Sequence, residues 1–231
     1  MASILAIDTT TEFGSLALVE DERVVEEVLL HAADGFGHVL WGHLEGLLAR
    51  HAWATAQVDC FAAAAGPGSF TGVRVGLAAV KGLAEAHAKP VVAVSNLAAI
   101  ASFGTAPLRA VVVDARRGEI YGAVYDAALE LVVPEVVTRF PEWLASLPGG
   151  DLEFVSTDFT PFRAALSGTR FASLPERQAP RALAGAIGRI AAARLAAGLA
   201  QDPAAVDANY VRRSDAELLW HDDHPENPGR R

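Results

Sequence analysis

A strand–turn–strand pattern occurs twice in this chain. The first copy is Ile4-Leu-Ala-Ile-Asp8, followed after a polar turn by Gly14-Ser-Leu-Ala-Leu18. The second is Val111-Val-Val-Asp114, then Ala-Arg-Arg-Gly-Glu, then Tyr121-Gly-Ala-Val-Tyr125. In both copies an aspartate stands where the first strand ends. Because a duplicated hairpin that opens each half is typical of a fold built from one repeated unit, the pattern predicts a two-lobed protein.

The spacing of apolar residues predicts an α/β fold. Apolar runs and alternation predict strands at 3–8, 14–19, 22–31, 58–65 and 90–94. Helical spacing of apolar residues predicts helices at 36–50, 70–87, 96–103 and 181–198. Strands that alternate with helices favour mostly parallel sheets covered by helices. We place the boundary between the lobes near residue 105, which gives lobes at 1–105 and 106–218 and a flexible tail at 219–231.

Composition and charge exclude several classes of protein. No apolar run approaches the ~20 residues that a membrane span needs. The N-terminus carries no basic region before an apolar stretch, so we expect a cytoplasmic protein that has no membrane partner. The single cysteine, Cys60, lies in an apolar run, which favours burial over reactivity. With 28 acidic and 19 basic residues the net charge is −9, so we expect contact with RNA only through another protein.

The segment Gly66-Pro-Gly-Ser-Phe-Thr-Gly72 joins a predicted buried strand to a predicted helix. Its glycines allow a tight corner, and exposed amides at the start of the helix could hold an anion. It is not the dinucleotide-binding fingerprint, because one residue too many precedes the third glycine, and it is not a P-loop, because no Gly-Lys-Ser/Thr follows. A structural corner is the simpler interpretation, and an anion site stays open as the alternative.

Other candidate residues give weaker signals. His38 and His43 lie on one predicted helix, but five residues at 3.6 per turn place them about 140° apart, so they cannot share a metal. Ser69 lacks the Gly-x-Ser-x-Gly surroundings of an activated serine. Asp8 and Asp114 each end a strand, and for both a structural role in the hairpin and a role in binding metal or phosphate remain open.

Four motifs, taken together and in this order, resemble the TsaB (YeaZ) family, the dimerisation subunit of the bacterial tRNA N6-threonylcarbamoyladenosine complex. They are Ile4-Leu-Ala-Ile-Asp-Thr-Thr10, Gly66-Pro-Gly-Ser-Phe-Thr-Gly-Val-Arg-Val-Gly76, Asp114-Ala-Arg116 with Tyr121, and Tyr210-Val-Arg-Arg-Ser-Asp-Ala-Glu217. The heptapeptide that begins at Gly66 is the most specific of them. The chain departs from the family's pattern at Val39, His43 and Ala208, which affects local helix and loop geometry only.

The resemblance implies an actin/hexokinase/Hsp70-type fold with duplicated βββαβα-like subdomains. It also implies a non-catalytic subunit that binds and stabilises the catalytic subunit TsaD and assembles with the ATPase TsaE. Such a complex modifies adenosine 37 of tRNAs that read A-starting codons. The catalytic relative holds a metal with Val-Asn-His-x-Glu-Gly-His, whereas this chain has Asn96 and Ile100 at the positions of the two histidines. Isoleucine cannot ligate a metal, and an amide is a poor ligand for transition metals.

We therefore expect no catalytic residue, no metal and no cofactor, apart from weak binding at a vestigial nucleotide site. The residues of that site are Asp8, Thr9, Thr10, Gly66, Gly68 and Ser69. One alternative is a nucleotide-dependent phosphotransferase of the same fold, which would use Asp8 and the glycine segment. Another is a metallopeptidase, which the loss of both histidines disfavours.

The resemblance also implies a partner surface on the helices predicted at 36–50 and 70–87, which pair with their counterparts in TsaD or, in isolation, with a second copy of the chain. Gly72, Gly76 and Ala79 would leave a strip where another backbone approaches, so that Gly76→Arg should block both pairings. Trp41 is a large side chain with no obvious place in the core. The predicted interface consists of Val39, Leu40, Trp41, Leu44, Leu47, Gly72, Val73, Gly76, Leu77, Ala79, Val80 and Leu83.

Overall fold

The computed structural model describes residues 1–212. Its strands are β1 (Ser3–Asp8), β2 (Phe13–Glu20), β3 (Arg23–His31), β4 (Cys60–Gly66), β5 (Val91–Ser95), β6 (Leu108–Arg116), β7 (Glu119–Asp126), β8 (Leu131–Arg139), β9 (Leu152–Ser156) and β10 (Glu176–Gln178). Its helices are α1 (Leu40–Arg50), α2 (Phe70–His87), α3 (Asn96–Ala101), α4 (Phe140–Ser146), α5 (Arg163–Leu166) and α6 (Ala184–Ala196). The predicted tail, and the end of the fourth motif after Arg212, lie outside the described residues.

The strands form two five-stranded sheets with the same topology. The first has the order β3-β2-β1-β4-β5 and the second the order β8-β7-β6-β9-β10. In each sheet the first three strands pair antiparallel in sequence. The first strand also pairs parallel with the fourth, which in turn pairs parallel with the fifth. The sheets are therefore mixed, and the expectation of mostly parallel sheets was wrong. The duplication predicted from the two hairpins is confirmed.

The two halves are held together by an exchange of helices. α1 and α2 cover the outer face of the first sheet, and α4 and α5 cover the outer face of the second. Between the sheets, α6 packs on the first sheet although it follows the second in sequence, and α3 packs on the second although it follows the first. One continuous apolar cluster, which includes Ile4, Leu97, Val111 and Ile187, fills this central layer. Such an exchange ties the lobes to each other.

The central strands carry residues that suit burial on both faces. Every residue of β4 is buried, and its run Phe61-Ala-Ala-Ala-Ala65 has small side chains where helices pack closely on the sheet. The outer strand β3 is only partly buried. The other outer strand, β8, contains Pro134, which an edge tolerates because the missing N–H faces away from the ladder.

Most predicted element bounds in the first lobe are confirmed to within two residues, including α2 at its full length. The helix predicted from residue 36 begins instead at Leu40, because Phe36 to Val39, which include Gly37, form a turn before the helix starts. The helix predicted at 181–198 is Ala184–Ala196, followed by Gly198 with a φ of +72°, a backbone conformation that favours glycine at a helix end.

After α6 the chain returns along the first sheet and crosses towards the second. We call residues 199–212 the strap. Gln201 pairs with Val91 at the start of β5, and Lys81 of α2 donates to the carbonyl of Val206 at 2.8 Å. The backbone N–H of Asn209 donates to the carbonyl of Ala65 at 2.8 Å, which places the strap over the end of β4. Within the part of the chain described here, no helix is long and apolar enough to cross a membrane.

Candidate functional site

The end of β1, the turn after β4 and the start of α3 form one buried hydrogen-bond network. The backbone N–H and the hydroxyl of Thr10 both donate to Asp8 Oδ1, at 2.9 and 2.6 Å. Asn96 Nδ2 donates to Thr10 Oγ1 at 2.7 Å, and the N–H of Gly66 donates to Asn96 Oδ1 at 3.0 Å. Asp8, Thr10 and Asn96 are all buried. The network joins two motifs that are more than fifty residues apart in sequence.

The glycine segment packs tightly against the residues that follow β1. The N–H of Ser69 donates to the carbonyl of Thr10 at 2.7 Å, and Thr9 Oγ1 donates to the carbonyl of Gly72 at 2.7 Å. A Cβ added at Gly68 would lie 2.7 Å from Thr10, and one added at Gly72 would lie 2.0 Å from the carbonyl oxygen of Thr9. These glycines are required because the chain's own backbone approaches them.

The structure thus brings together all six residues predicted as a vestigial nucleotide site. Asp8 is 1% exposed, and burial raises the pKa of its carboxyl group, an effect that the hydrogen bonds from Thr10 partly offset. Ser69 is the N-cap of α2, with its Oγ accepting from the N–H of Gly72 at 3.3 Å. On the far side of the turn, the carbonyl oxygen of Asn209 would lie 3.0 Å from a Cβ at Gly66. The polar groups of this site therefore bind one another.

The positions that correspond to metal ligands in the catalytic relative have other roles. Asn96 holds Thr10 and Gly66, as described above. Ile100 is buried in the apolar layer between the sheets. His38 and His43 are exposed. Among residues 1–212 no group of three or more His, Cys, Asp or Glu side chains is arranged to hold a metal ion.

A second polar cluster, which the sequence analysis missed, joins both lobes to the strap. Glu135 of β8 accepts hydrogen bonds from the hydroxyls of Ser95 and Tyr125 and, at 2.5 Å, from Asn209 Nδ2. Burial and the charge of Glu135 raise the pKa of Tyr125. Arg212 donates to the carbonyl of Ala115 at 2.9 Å and forms an ion pair with Glu119. Nothing in the spacing of these residues could have indicated that they meet.

The predicted partner surface needs a correction. Leu40, Leu44, Leu47, Val73, Gly76, Leu77, Ala79 and Val80 are buried in the core of their own lobe. Val39, Gly72 and Leu83 are half-buried, and Trp41 is 51% exposed. A Cβ at Gly76 would lie 2.7 Å from Thr9 Oγ1, so the backbone that approaches this glycine belongs to the same chain. The apolar stripe read from the sequence is the one that packs on the sheet.

The outward side of α2 is a different row of residues at four-residue spacing. Its members, all exposed, are Phe70, Arg74, Ala78, Gly82 and Ala86. We call this row the α2 ridge. A Cβ at Gly82 would meet no other atom within 4 Å. The residues in the middle of the α2 ridge have little or no side chain, and nothing in the described part of the chain covers them. Gly72 and Gly76, in contrast, face inwards.

A βββαβα unit that occurs twice, with an aspartate at the end of the first strand of each sheet, defines a protein of the actin/hexokinase/Hsp70-type fold. In this case the site at the first aspartate is closed by the chain's own hydrogen bonds. Residues 32–217 match the family model described as TsaD, tRNA N6-adenosine threonylcarbamoyltransferase.

Comparison with individual proteins identifies the family within this fold class. The tRNA threonylcarbamoyladenosine biosynthesis protein TsaB of Bacillus subtilis is 32% identical over 154 residues, which cover 64% of this chain and 67% of that protein. Its counterpart in Escherichia coli is 36% identical over 128 residues, or 53% and 54% of the two chains. The solved structure of YeaZ from Pseudomonas aeruginosa superposes with a TM-score of 0.75 at 26% identity, over 91% of this chain and all of that one. The chain belongs to the TsaB (YeaZ) family. Its alignments span about two thirds of the B. subtilis relative and about half of the E. coli one.

Proposed function

We propose that this chain is a non-catalytic subunit required for threonylcarbamoylation of adenosine 37 in tRNAs that read A-starting codons. It binds and stabilises a TsaD-type catalytic subunit and assembles with a TsaE-type ATPase. In isolation it forms a homodimer through the same surface. It works in the cytoplasm and meets tRNA only within the complex.

The observation that carries the proposal is the closed state of the strand-end site. A catalytic site presents a base, a nucleophile or a metal to a substrate. Here Asp8 is occupied by Thr10, Asn96 holds Gly66, and Thr9 fills the space beside Gly72. This arrangement favours a subunit that supports catalysis over a phosphotransferase, which would need the carboxylate and the glycine turn to be accessible.

The α2 ridge supports a role in assembly. Ala78 and Gly82 lack bulk, so the backbone of a partner helix could come close, as in the close packing of two helices. Trp41 of α1, the other helix on the outer face of the first sheet, is half exposed, and large aromatic side chains are enriched where proteins bind each other. We therefore move the proposed contact from the inward-facing Gly72 and Gly76 to Ala78 and Gly82.

Binding to the TsaD-type subunit of the same organism tests the proposal. The wild-type chain should co-elute with that subunit in size-exclusion chromatography and run as a dimer alone. Gly82→Arg should abolish both associations and leave circular dichroism unchanged, since the new side chain points into open space. Gly149→Arg is the matched control, because Gly149 is also exposed and open but lies in the second lobe.

Two results would contradict these expectations. Unchanged association of Gly82→Arg would show that the partner lies elsewhere, and failure of the wild-type chain to associate would contradict the assembly role. The pure chain should neither modify tRNA from threonylcarbamoyl-adenylate nor hydrolyse ATP. Steady turnover that disappears in Asp8→Asn would favour the phosphotransferase instead.

A further inference from the structure

Three side chains stack on one another where α2 begins and the strap ends. The guanidinium carbon of Arg74 lies 3.6 Å from the centre of the Phe70 ring, and Arg74 Nε donates to the hydroxyl of Tyr210 at 3.0 Å. The rings of Phe70 and Tyr210 are 5.5 Å apart. Phe70 is 42% exposed and Tyr210 46% exposed. Two aromatic rings from distant parts of the chain thus hold one arginine at the surface.

The guanidinium of Arg74 is held by two aromatic rings and a hydroxyl group. Some exposed arginines pair with carboxylates, as Arg23 does with Glu20 and Arg163 with Glu176, whereas Arg170 and Arg181, like Arg74, lie over an aromatic ring. Within residues 1–212, Arg74 forms no such ion pair. Its contacts use the face of the guanidinium and Nε, which leaves the terminal nitrogens as a fixed pair of donors. A guanidinium that is already held in place binds a carboxylate with less loss of side-chain entropy than a free one.

The position of the stack indicates which kind of molecule covers it. Phe70 and Arg74 are the first two members of the α2 ridge, so a protein that lies along Ala78 and Gly82 reaches Arg74 at the end of that ridge. An RNA would need several unpaired cations in a row. Arg212, the last described residue of the strap, lies beside Glu119, and Arg116 lies beside Asp114. Charge and continuity both favour a protein.

We propose that Phe70, Arg74 and Tyr210 form an anchor that receives an aspartate or glutamate side chain of the protein partner bound along the α2 ridge. The inference rests on the proposed function and adds to it a specific contact and a role for the strap. Tyrosine and arginine are enriched among the residues that dominate binding energy, particularly where apolar surface surrounds a charged contact. Arg74 supplies the charge, and the two rings supply the surrounding surface.

Titration of the full chain with the purified TsaD-type subunit tests the anchor. Arg74→Ala should raise the dissociation constant by about 30-fold. Arg74→Lys, which keeps the charge but loses the fixed fork, should fall between that variant and the wild type. Tyr210→Phe keeps the ring, removes the acceptor for Arg74 Nε and should cost about threefold. Arg163→Ala, an exposed and ion-paired arginine of the second lobe, serves as the control and should bind like the wild type.

Salt separates an ionic contact from a structural effect. Affinity of the wild type should fall as salt rises, and this dependence should be smaller in Arg74→Ala, with unchanged thermal stability. If Arg74→Ala binds the TsaD-type subunit with wild-type affinity, the anchor is wrong but the proposed function is not affected. If Arg74→Ala binds the TsaD-type subunit normally but the assembled complex loses affinity for tRNA, the anchor is wrong and Arg74 contacts RNA instead. If even the wild type and Arg163→Ala fail to bind, the proposed function is wrong and the anchor has lost its partner.

Discussion

Asp8 and Asp114 take equivalent places in the two halves of the chain and make the same local hydrogen bond. Asp8 Oδ1 accepts from the backbone N–H of Thr10 at 2.9 Å, and Asp114 Oδ1 accepts from that of Arg116 at 2.8 Å. This bond to the residue two positions on is how aspartate stabilises a turn. The environments differ, because Asp8 is buried between the lobes and Asp114 is exposed. Both aspartates therefore stabilise the turn that follows them, and only Asp8 carries the cost of burial.

Replacement of Asp8 by asparagine should change how stability depends on pH. Burial raises the pKa of Asp8 in the folded protein. Between the unfolded value near ~3.9 and the raised one, the folded state binds more protons than the unfolded chain, so stability falls as pH rises. Asp8→Asn retains an acceptor for Thr10 without the charge. It should match the wild type near pH 4 and exceed it at pH 8 in thermal unfolding. A variant that is less stable at every pH would show that the carboxylate itself stabilises the fold.

Much of the first lobe could be predicted because its signals are local. The buried run of β4, the cap at Ser69 and the length of α2 all follow from residues that are neighbours in sequence. The glycine segment was correctly placed at a strand-to-helix corner. Its purpose could not be predicted, since the reason for Gly68 is the approach of Thr10 from more than fifty residues away.

The direction that a helix faces was the main error. Apolar spacing identifies the side of α2 that is buried, but it does not say whether the sheet or a partner covers that side. Leu77 and Val80 pack on the chain's own sheet, so the free side had to be the one with Ala78 and Gly82. The cluster around Glu135 was missed because its members come from separate segments and have ordinary surroundings in sequence.

Two alanine substitutions on α2 should have opposite effects on stability. At Gly76 the new methyl group would lie 2.7 Å from Thr9 Oγ1, which also donates to Gly72, so Gly76→Ala should destabilise the protein by about 1–3 kcal/mol. At Gly82 there is open space, and Gly82→Ala should stabilise by about 0.5–1 kcal/mol through helix propensity. Urea denaturation of both variants measures the difference. Similar effects at the two sites would contradict the orientation assigned to α2.

Cys60 should be unreactive in the folded protein. It is fully buried in β4, and burial raises the pKa of its thiol to about 12. The thiolate is the reactive form, and at pH 8 the thiol remains protonated. A chromogenic disulfide reagent should therefore react with the native chain only as fast as the structure opens, and rapidly in denaturant. Fast native reaction at pH 8 would show that β4 is accessible.

Replacement of Glu135 should loosen the strap without unfolding the lobes. In Glu135→Gln the group that faces Ser95, Tyr125 and Asn209 loses its charge and presents an NH₂ to residues that donate. The loss of charge-assisted hydrogen bonds at a partly buried site should cost about 1–3 kcal/mol. Glu130→Gln is the control, because Glu130 is exposed on a turn of the same lobe.

Hydrogen exchange locates that effect. The N–H of Asn209, which donates to Ala65, should exchange faster in Glu135→Gln, whereas amides of β1 should keep their protection. Since Tyr210 follows directly, a looser strap should also hold Arg74 less firmly, so that binding of the TsaD-type subunit weakens, but by less than in Arg74→Ala. Unchanged exchange at Asn209 would mean that the backbone bonds alone hold the strap. Uniformly faster exchange would instead assign Glu135 to global stability.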